Sequence, residues 1–453
     1  MTRLGSRARF VQQRRLALVS GVIALAVGGS GSASAAMTSS AGPLKAHAMK
    51  ASTTLVVWDA FARDPRKSLI DGFNAAFEKA HPGVHINRVT KEFNDYNATV
   101  KLVLSAANPP DVVTGNQGWS ADGIMIKAGL LAPLDSYDKK YGWSKRVGNL
   151  GELKWSADGK TWGAGHLYGV SYSSSINGVF YNKANMKKLG IGIPKTFAEF
   201  TSDLAKAKAA GMVPIQLGDQ DKWPGTQNFQ MLQDLYTSAT VLRNWIYGRG
   251  NVSFATAANM KAAQLLKDWS AAGYITRGSI GTPYDSANAN FAAGQGLFDY
   301  SGTWLTGLFA QKMKNNVGFF VVPPVTAGQV PLAVGSLELP WHISARSKNK
   351  DLAAAYIAFI MSKQNAAAVL KSGEIPVNPV STKNVTPVIA DTLRAWKTVT
   401  SHDKLVPFLD WATPDMLLTV GGATQGLLGN HSTAQQFVNT VQSHYAAFQK
   451  TRH

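Results

Sequence analysis

The 453-residue chain contains no cysteine, and this absence excludes several classes of protein. Without thiols there are no disulfide-stapled scaffolds, thiolate zinc sites, iron–sulfur clusters or cysteine nucleophiles. Charged residues make up only 16% of the chain, below the usual quarter, so the polar surface depends on neutral side chains. No segment reaches the roughly 18 apolar residues of a membrane-spanning helix. A hydrophobic share of 45% nevertheless provides for a buried core.

Motifs of common active sites are also missing. The chain has no G-x-S-x-G, no H-E-x-x-H, no Walker loop and no G-x-G-x-x-G after a strand. His81 and His85 are separated by Pro82-Gly83, which keeps them from sharing a helix face as metal ligands. Asp219 and Asp221 are only a weak signal for the carboxylate pair of a glycoside hydrolase. We therefore predict no enzyme activity, no metal and no cofactor, and keep a secreted glycan-active enzyme as the alternative.

The first 35 residues have the pattern of a secretory signal peptide. Arg14-Arg15 precedes the apolar run from Leu16 to Val27, and Ala33-Ser34-Ala35 fits a cleavage site. The residues after the arginine pair fit a twin-arginine signal poorly, so we expect general secretion. The prediction is a secreted, extracytoplasmic protein, in the periplasm or at the cell surface. Residues 36–52 would form a flexible leader, and the mature chain would have no transmembrane anchor.

The net charge is strongly basic, at +19 for the whole chain. Residues 36–453 still carry +14 once the five arginines of the signal segment are left out. A basic adhesin or a nucleic-acid binder would explain this excess directly. Nucleic-acid-binding surfaces, however, cluster their lysines and arginines on one face. In this sequence they are scattered, so we expect no nucleic-acid partner.

Strand-like and helix-like segments alternate from residue 53 onward. Thr54–Trp58 and Val84–Val89 are short strand-like runs, and Ser68–Ala80 between them has apolar residues at helical spacing. Capping boxes at Thr196 and Ser432 predict two helix starts. The length suggests two or three domains or one bilobal body. Together these features predict an α/β fold, and the lack of a Pro- or Ser-rich linker favours lobes that share strands.

Aromatic and polar residues are grouped where the predicted strands run into loops. Ligands of open α/β sheets bind beyond the carboxyl ends of the strands. Indole faces match the C–H faces of sugar rings, and carboxylates and amides bond to ring hydroxyls. Each tryptophan alone is more often a packing residue, but five such groups favour a site. The groups are Trp58-Asp59-Ala60-Phe61, Asn116-Gln117-Gly118-Trp119, Asp221-Lys222-Trp223, Ser301-Gly302-Thr303-Trp304 and Glu338-Leu339-Pro340-Trp341.

The stretch from Asp158 to Phe200 carries the motifs DGK-x-W-G, YNK and PKT-x-x-E in that order. It resembles the bacterial extracellular solute-binding proteins of ABC importers, of the maltose-binding-like, carbohydrate type. Weaker matches are PPDVV at 109–113, AGLLAPLD at 128–135, FAAGQGLFDYSGTW at 291–304 and the helix-like segment 344–362. The resemblance covers residues 53–450.

The resemblance implies a two-lobed periplasmic-binding-protein-like fold, each lobe a mostly parallel sheet flanked by helices. The chain would cross between lobes near 169–175 and again near 318–323. The first lobe would comprise 53–170 and 320–375, and the second 171–319 and 376–453. The implied function is capture of a mono- or oligosaccharide in the cleft and delivery to the permease subunits in the membrane, with the protein a monomer. A polyol or an anionic sugar phosphate remains the alternative ligand.

The resemblance also assigns residues to the two walls of the cleft. The first-lobe wall would carry Trp58, Asp59, Phe61, Asn116, Gln117 and Trp119. The second-lobe wall would carry Asp221, Trp223 and Trp304. Glu338 and Trp341 are added to the expected ligand-binding set, although they lie in a segment that is usually glycine-rich.

Two departures from the family pattern shape these expectations. Ser175 occupies a position that is often acidic in maltose binders, which weakens any claim of maltose specificity. Gly28-Gly29-Ser30-Gly31 stands where many relatives carry a lipobox cysteine. The protein is therefore expected to be released by cleavage, with its positive charge retaining it on anionic wall polymers.

Overall fold

The structure, a computed structural model, describes residues 52–452. The predicted signal peptide and nearly all of the predicted leader lie outside the described residues. No helix within 52–452 is both long enough and apolar enough to cross a membrane.

Strands and helices alternate through most of the described chain, as the sequence predicts. The strands are β1 (Thr53–Asp59), β2 (Val84–Thr90), β3 (Val112–Thr114), β4 (Lys154–Trp155), β5 (His166–Leu167), β6 (Ser173–Asn182), β7 (Ile215–Gln216), β8 (Phe298–Gly302), β9 (Val317–Phe320), β10 (Ala333–Leu337), β11 (Trp341–Ile343), β12 (Ile375–Pro376) and β13 (Leu405–Val406). The helices are α1 (Arg66–Ala80), α2 (Phe93–Ser105), α3 (Asp122–Lys127), α4 (Asp135–Tyr141), α5 (Lys183–Leu189), α6 (Phe197–Ala209), α7 (Trp223–Gln233), α8 (Ala239–Tyr247), α9 (Ala257–Ala271), α10 (Tyr284–Ala292), α11 (Thr306–Met313), α12 (Lys350–Ile360), α13 (Ala366–Lys371), α14 (Pro387–Ser401), α15 (Met416–Leu428) and α16 (Ala434–Lys450).

A four-stranded sheet with the order β11-β3-β1-β2 forms the first lobe. β1 pairs in parallel with both β2 and β3, and β11 runs antiparallel to β3. Leu55 and Val57 of β1 are fully buried, and α1 buries Ile70, Phe73 and Phe77 on one face. This spacing is that of an amphipathic helix packed on a core, as predicted for residues 68–80.

The second sheet is mixed, which differs from the mostly parallel sheet expected for that lobe. Its order is β13-β10-β6-β8-β7, and β9 and β12 also pair with β6. β6 is antiparallel to all four of its partners. The reason is that β9 and β10 carry the chain back toward the beginning of β6, where the first sheet lies. All ten residues of β6 are buried, so it is the central strand of this lobe.

Within residues 52–452, the chain passes between the two sheets at three places. The first lies between Val170, which bridges to Trp341, and the start of β6. The second lies between β10 and β11, at 338–340, and not near 318–323 as expected. The third lies before β12, whose Ile375 pairs with Ser174. β10, which the predicted boundaries assign to the first lobe, pairs within the second sheet; the other lobe boundaries stay a prediction.

Local capping signals set where two helices begin. The Thr196 hydroxyl accepts a hydrogen bond from the Glu199 backbone N–H at 3.2 Å, so α6 begins where the sequence predicts. The C-terminal capping box is shifted by one residue from the prediction. It is formed by Thr433 and Gln436, each side chain bonded to the backbone N–H of the other, because the hydroxyl of Thr433 is the one placed at the N-cap.

Candidate functional site

A cavity of about 910 Å³ lies between the two lobes. This volume is near the upper end of the roughly 300–1,000 Å³ found for small-molecule sites. The cavity is open to solvent on one side and lined by residues of both sheets and of the helices that follow their strands. It is therefore the candidate ligand-binding site.

The first sheet positions its cavity residues through strand direction. β1 and β3 are parallel, so their carboxyl ends meet at one edge, and the loops after them bring Phe61, Asn116 and Gln117 to the cavity. β11 is antiparallel to β3 and starts at that same edge, which places Glu338, just before it, in the cavity wall. These four residues lie where the sequence predicts them.

The second sheet repeats this arrangement from the opposite side. β7 and β8 are parallel, and the segments after them bring Asp221, Trp223 and Trp304 to the cavity. These three residues also lie in the predicted wall. Seven of the eleven predicted residues thus line one cavity; whether they contact ligand stays a prediction.

Trp58 and Asp59 do not line the cavity, which corrects their predicted role. Asp59 is fully buried, and its carboxylate accepts hydrogen bonds from Arg88 Nε at 2.6 Å and Nη2 at 2.8 Å. It also accepts the Phe61 backbone N–H at 2.9 Å, so it holds the loop that presents Phe61. Trp58 is half-buried against the core, with the Lys91 ammonium 5.8 Å from its ring centroid.

Trp119 and Trp341 are core residues and not cavity residues. The ring of Trp119 packs edge-on against Trp155 at 4.9 Å and lies under the Arg452 guanidinium at 4.4 Å. Trp341 belongs to β11 and is fully buried, with the Phe61 ring 5.8 Å away. Both are tryptophans next to a turn, for which burial is the more common outcome.

Aromatic rings dominate the second-lobe side of the cavity. Trp223 lies 4.3 Å from Tyr284 and 6.1 Å from Trp304, and Trp304 lies 6.4 Å from Phe408. Tyr284 also accepts a hydrogen bond from Trp304 Nε1 at 2.8 Å, which fixes both rings. Offset ring faces of this kind suit flat, partly apolar ligand surfaces. The aromatic arc, as we call it, consists of Phe93, Trp223, Tyr284, Trp304, Phe408 and Trp411.

Four of these rings are not among the residues predicted from the sequence. Phe408 and Trp411 lie in the segment after β13, so they share the strand-end position of the other groups, but Leu405–Val406 was not predicted as a strand. Tyr284 begins α10 after a proline, and Phe93 begins α2; neither position carries a pattern that separates a site residue from a helix start.

A buried ion network forms the cavity floor beside the crossings. Arg66 Nη1 lies 3.3 Å from Glu338 Oε1, and Arg66 Nε lies 3.1 Å from Glu374 Oε1. Glu374 also accepts hydrogen bonds from Ser173 at 2.6 Å and Tyr172 at 3.2 Å. The network therefore joins the start of α1 to all three crossings, and one of its carboxylates, Glu338, faces the cavity.

Several polar contacts join the two walls across the cavity. Asn94 Nδ2 donates to Asp221 Oδ1 at 2.5 Å, and Trp411 Nε1 donates to Asn116 Oδ1 at 3.0 Å. Arg63 forms an ion pair with Asp285. These contacts hold the lobes together around the cavity, as in a closed cleft.

Within the described residues, Asp410 and Asp219 are among the acidic side chains of the second lobe that are buried without a cation in an ion pair. Burial raises the pKa of Asp410, which lines the cavity, to about 7. Burial also raises the pKa of Asp219 to about 8; one of its oxygens accepts the Gly225 N–H at 2.6 Å, and the other has no partner. Asp219 does not line the cavity, so it and Asp221 do not face a ligand as a pair.

No group of three or more His, Asp or Glu side chains within the described part of the chain is arranged to hold a metal ion.

Residues 63–367 match the family model for bacterial extracellular solute-binding protein. An uncharacterized ABC transporter extracellular-binding protein of Pyrococcus horikoshii is 25% identical over 372 residues, covering 79% of each chain. The multiple sugar-binding protein of Streptococcus mutans is 24% identical over 322 residues, covering 68% of this chain and 71% of that protein.

Other proteins of known structure share this fold. The structure of a chitin oligosaccharide binding protein superposes with a TM-score of 0.77 at 21% identity, covering 88% of this chain and all of that one. At this level of identity the likeness establishes the two-lobed fold.

Proposed function

The chain belongs to the bacterial extracellular solute-binding protein family, and we propose that it captures a carbohydrate between its lobes and delivers it to an ABC permease. The observation that carries this proposal is the aromatic arc facing polar side chains across a cavity of about 910 Å³. Sugar rings present apolar C–H faces and polar edges, which this combination matches. Relatives named for binding multiple sugars and chitin oligosaccharide support the same ligand class.

Closure of the lobes is the proposed mechanism of capture. The ligand would favour the closed form because it contacts both walls at once. The contacts Asn94–Asp221 and Trp411–Asn116 would form only when the walls meet. Because closure removes water, a cavity side chain that has no partner within the protein must find a hydrogen-bond partner on the ligand.

The rest of the transport function is proposed on family membership and sequence. The chain would be exported by its signal segment, act as a monomer outside the cytoplasm, and dock on membrane permease subunits when closed. It would bind without turnover. Product analysis after long incubation with oligosaccharides would contradict that part of the proposal if cleavage were found.

The carbohydrate proposal is tested by calorimetry and tryptophan fluorescence with a panel of mono- and oligosaccharides. At least one sugar should bind, and Trp304→Ala should weaken it by about tenfold to a hundredfold, since the ring loses a buried apolar contact. Trp396→Phe is the matched control, because Trp396 is half-buried on α14 outside the cavity. Lack of binding by every sugar, or equal affinities of Trp304→Ala and wild type, would refute the proposal.

A further inference from the structure

The charge of the cavity is opposite to that of the whole protein. The chain carries +19, yet seven carboxylates and only three cationic side chains line the cavity. The carboxylates are Asp64, Glu92, Asp95, Asp221, Asp285, Glu338 and Asp410, and the cations are Arg63, Arg66 and Lys312. This local excess of negative charge counts against an anionic sugar as ligand, because it would repel one.

Most of the better-placed carboxylates already have partners. Glu338 pairs with Arg66, and Asp285 pairs with Arg63, which also pairs with Glu92. Asp221 accepts hydrogen bonds from Asn94 Nδ2 and from the backbone N–H of Tyr284 at 3.2 Å.

Of the two buried acids of the cavity, Glu338 and Asp410, only Asp410 lacks such a partner among the described residues. Only 7% of the residue is exposed, and it lines the cavity. Within residues 52–452, no cation forms an ion pair with its carboxylate and no other residue donates a hydrogen bond to it. Burial without a partner is costly for a carboxylate, so a ligand group that pairs with it would supply a contact that the chain itself does not provide.

The neighbours of Asp410 favour a cation as that group. Phe408 and Trp411 flank it in sequence, their ring centroids are 5.0 Å apart, and both line the cavity with Trp304. The faces of aromatic rings attract ammonium groups, and a carboxylate forms its strongest hydrogen bonds with them. A neutral hydroxyl would also donate a hydrogen bond to the Asp410 carboxylate, but it would gain little from the surrounding negative charge.

We propose that the ligand carries a protonated amine, as an amino sugar does, and that Asp410 is its counter-ion. This inference depends on the carbohydrate-binding function proposed above and narrows its substrate class. The Asp410 carboxylate receives the ammonium as a charge-assisted hydrogen-bond donor, while the aromatic arc contacts the sugar rings. The raised pKa of Asp410 agrees with this assignment, because a bound ammonium would favour the ionised carboxylate that burial disfavours.

The test compares amino sugars with their N-acetylated counterparts by calorimetry at neutral pH. Glucosamine and galactosamine, and disaccharides of each, are paired with the same sugars in N-acetylated form, which keeps the ring and removes the charge. For at least one pair the free amine should bind about tenfold or more tightly, as expected for a hydrogen bond between charged groups. Asp410→Asn should remove this preference, because it should lower the affinity for the free amine more than the affinity for the N-acetylated partner.

Asp415→Asn is the matched control, since Asp415 is an exposed acid five residues away that does not line the cavity; it should keep the preference for the amine. Equal binding of the two forms, or preference for the N-acetylated form, would overturn the inference. So would an equal loss for both forms in Asp410→Asn, which would make Asp410 a hydroxyl acceptor. If neutral sugars of the wider panel bind and no amine is preferred, the amine inference alone fails; if no sugar binds at all, the proposed function fails with it.

Discussion

The two walls of the cavity are built from different chemistry. The first-lobe wall presents mainly polar and charged side chains, such as Arg63, Asn116 and Gln117, whereas the second-lobe wall presents five of the six rings of the aromatic arc. The rings are fixed to one another by packing and by the Trp304–Tyr284 hydrogen bond. The polar wall meets them through the Asn94–Asp221 and Trp411–Asn116 hydrogen bonds. This difference suggests a division of roles, in which a rigid aromatic wall receives the sugar and the polar wall closes over it.

We expect the largest loss of sugar binding from a substitution that holds the two walls apart. Gly307, at the start of α11, approaches the first lobe so closely that an added Cβ would lie 2.0 Å from Ser372 O and 2.5 Å from Pro65 Cγ. Gly307→Ala should therefore hinder closure and weaken sugar binding by at least about tenfold, an amount typical of overpacking. Small-angle scattering with ligand should give a larger radius of gyration than for wild type.

Gly422→Ala is the control for this prediction. Gly422 lies in α15, and an added Cβ there would meet nothing within 4 Å, so affinity and radius should match wild type. If Gly307→Ala folds normally, closes and binds like wild type, the polar wall does not need to approach the aromatic wall as we describe.

The structure also shows how much of these two walls could be predicted from the sequence alone. Strand alternation and strand-end positions predicted Trp223, Trp304 and Asn116, because the ends of parallel strands must share an edge. The same reasoning failed for Trp341, since a tryptophan after a turn is equally suited to a strand inside a core. Which neighbour a ring packs against depends on contacts distant in sequence, such as that between Phe61 and Trp341, and the local pattern contains no information about these.

In the fold, the directions of the strands that pair with β6 were not predicted from the sequence. All ten residues of β6 are buried. Its antiparallel partners β9 and β10 were not predicted, because local propensity does not report where the chain turns back. The crossing at 338–340 was misplaced for the same reason.

Replacing Asp410, the buried acid of the aromatic wall, should have an intermediate effect. The quantity that changes is the free energy of unfolding. The pKa of Asp410 is about 7 in the folded protein and near the ordinary value of about 3.9 when unfolded. The folded state therefore binds more protons between these values, and stability falls as pH rises from about 4 to 7. Asp410→Asn should raise the free energy of unfolding by about 1 kcal/mol or more at pH values above 7 and change it little below about 4.

Urea unfolding at several pH values without ligand measures this difference, with Asp415→Asn as the exposed control. A stabilised variant that loses its preference for amines would show that Asp410 is retained for binding at a cost in stability. Equal destabilisation of Asp410→Asn at all pH values would instead indicate that the carboxylate has a structural partner in the empty protein.

We expect the smallest effect on sugar binding from the loss of the ion pairs at the edge of the polar wall. Arg63 pairs with Glu92 of its own lobe and with Asp285 of the other, and all three side chains are about half exposed. Because exposed ion pairs contribute about 0.2–1 kcal/mol, Arg63→Ala should weaken sugar binding by only about two- to fivefold. Salt screens exposed charges, so the difference from wild type should shrink as the salt concentration rises.

Arg394→Ala is the matched control, because Arg394 pairs with Asp391 on α14 and does not line the cavity. It should leave binding unchanged at every salt concentration. A loss in Arg63→Ala as large as that in Trp304→Ala, and insensitive to salt, would mean that Arg63 contacts the ligand itself. The two walls would then share the recognition of the sugar, and the polar wall would have a role beyond closing over the aromatic one.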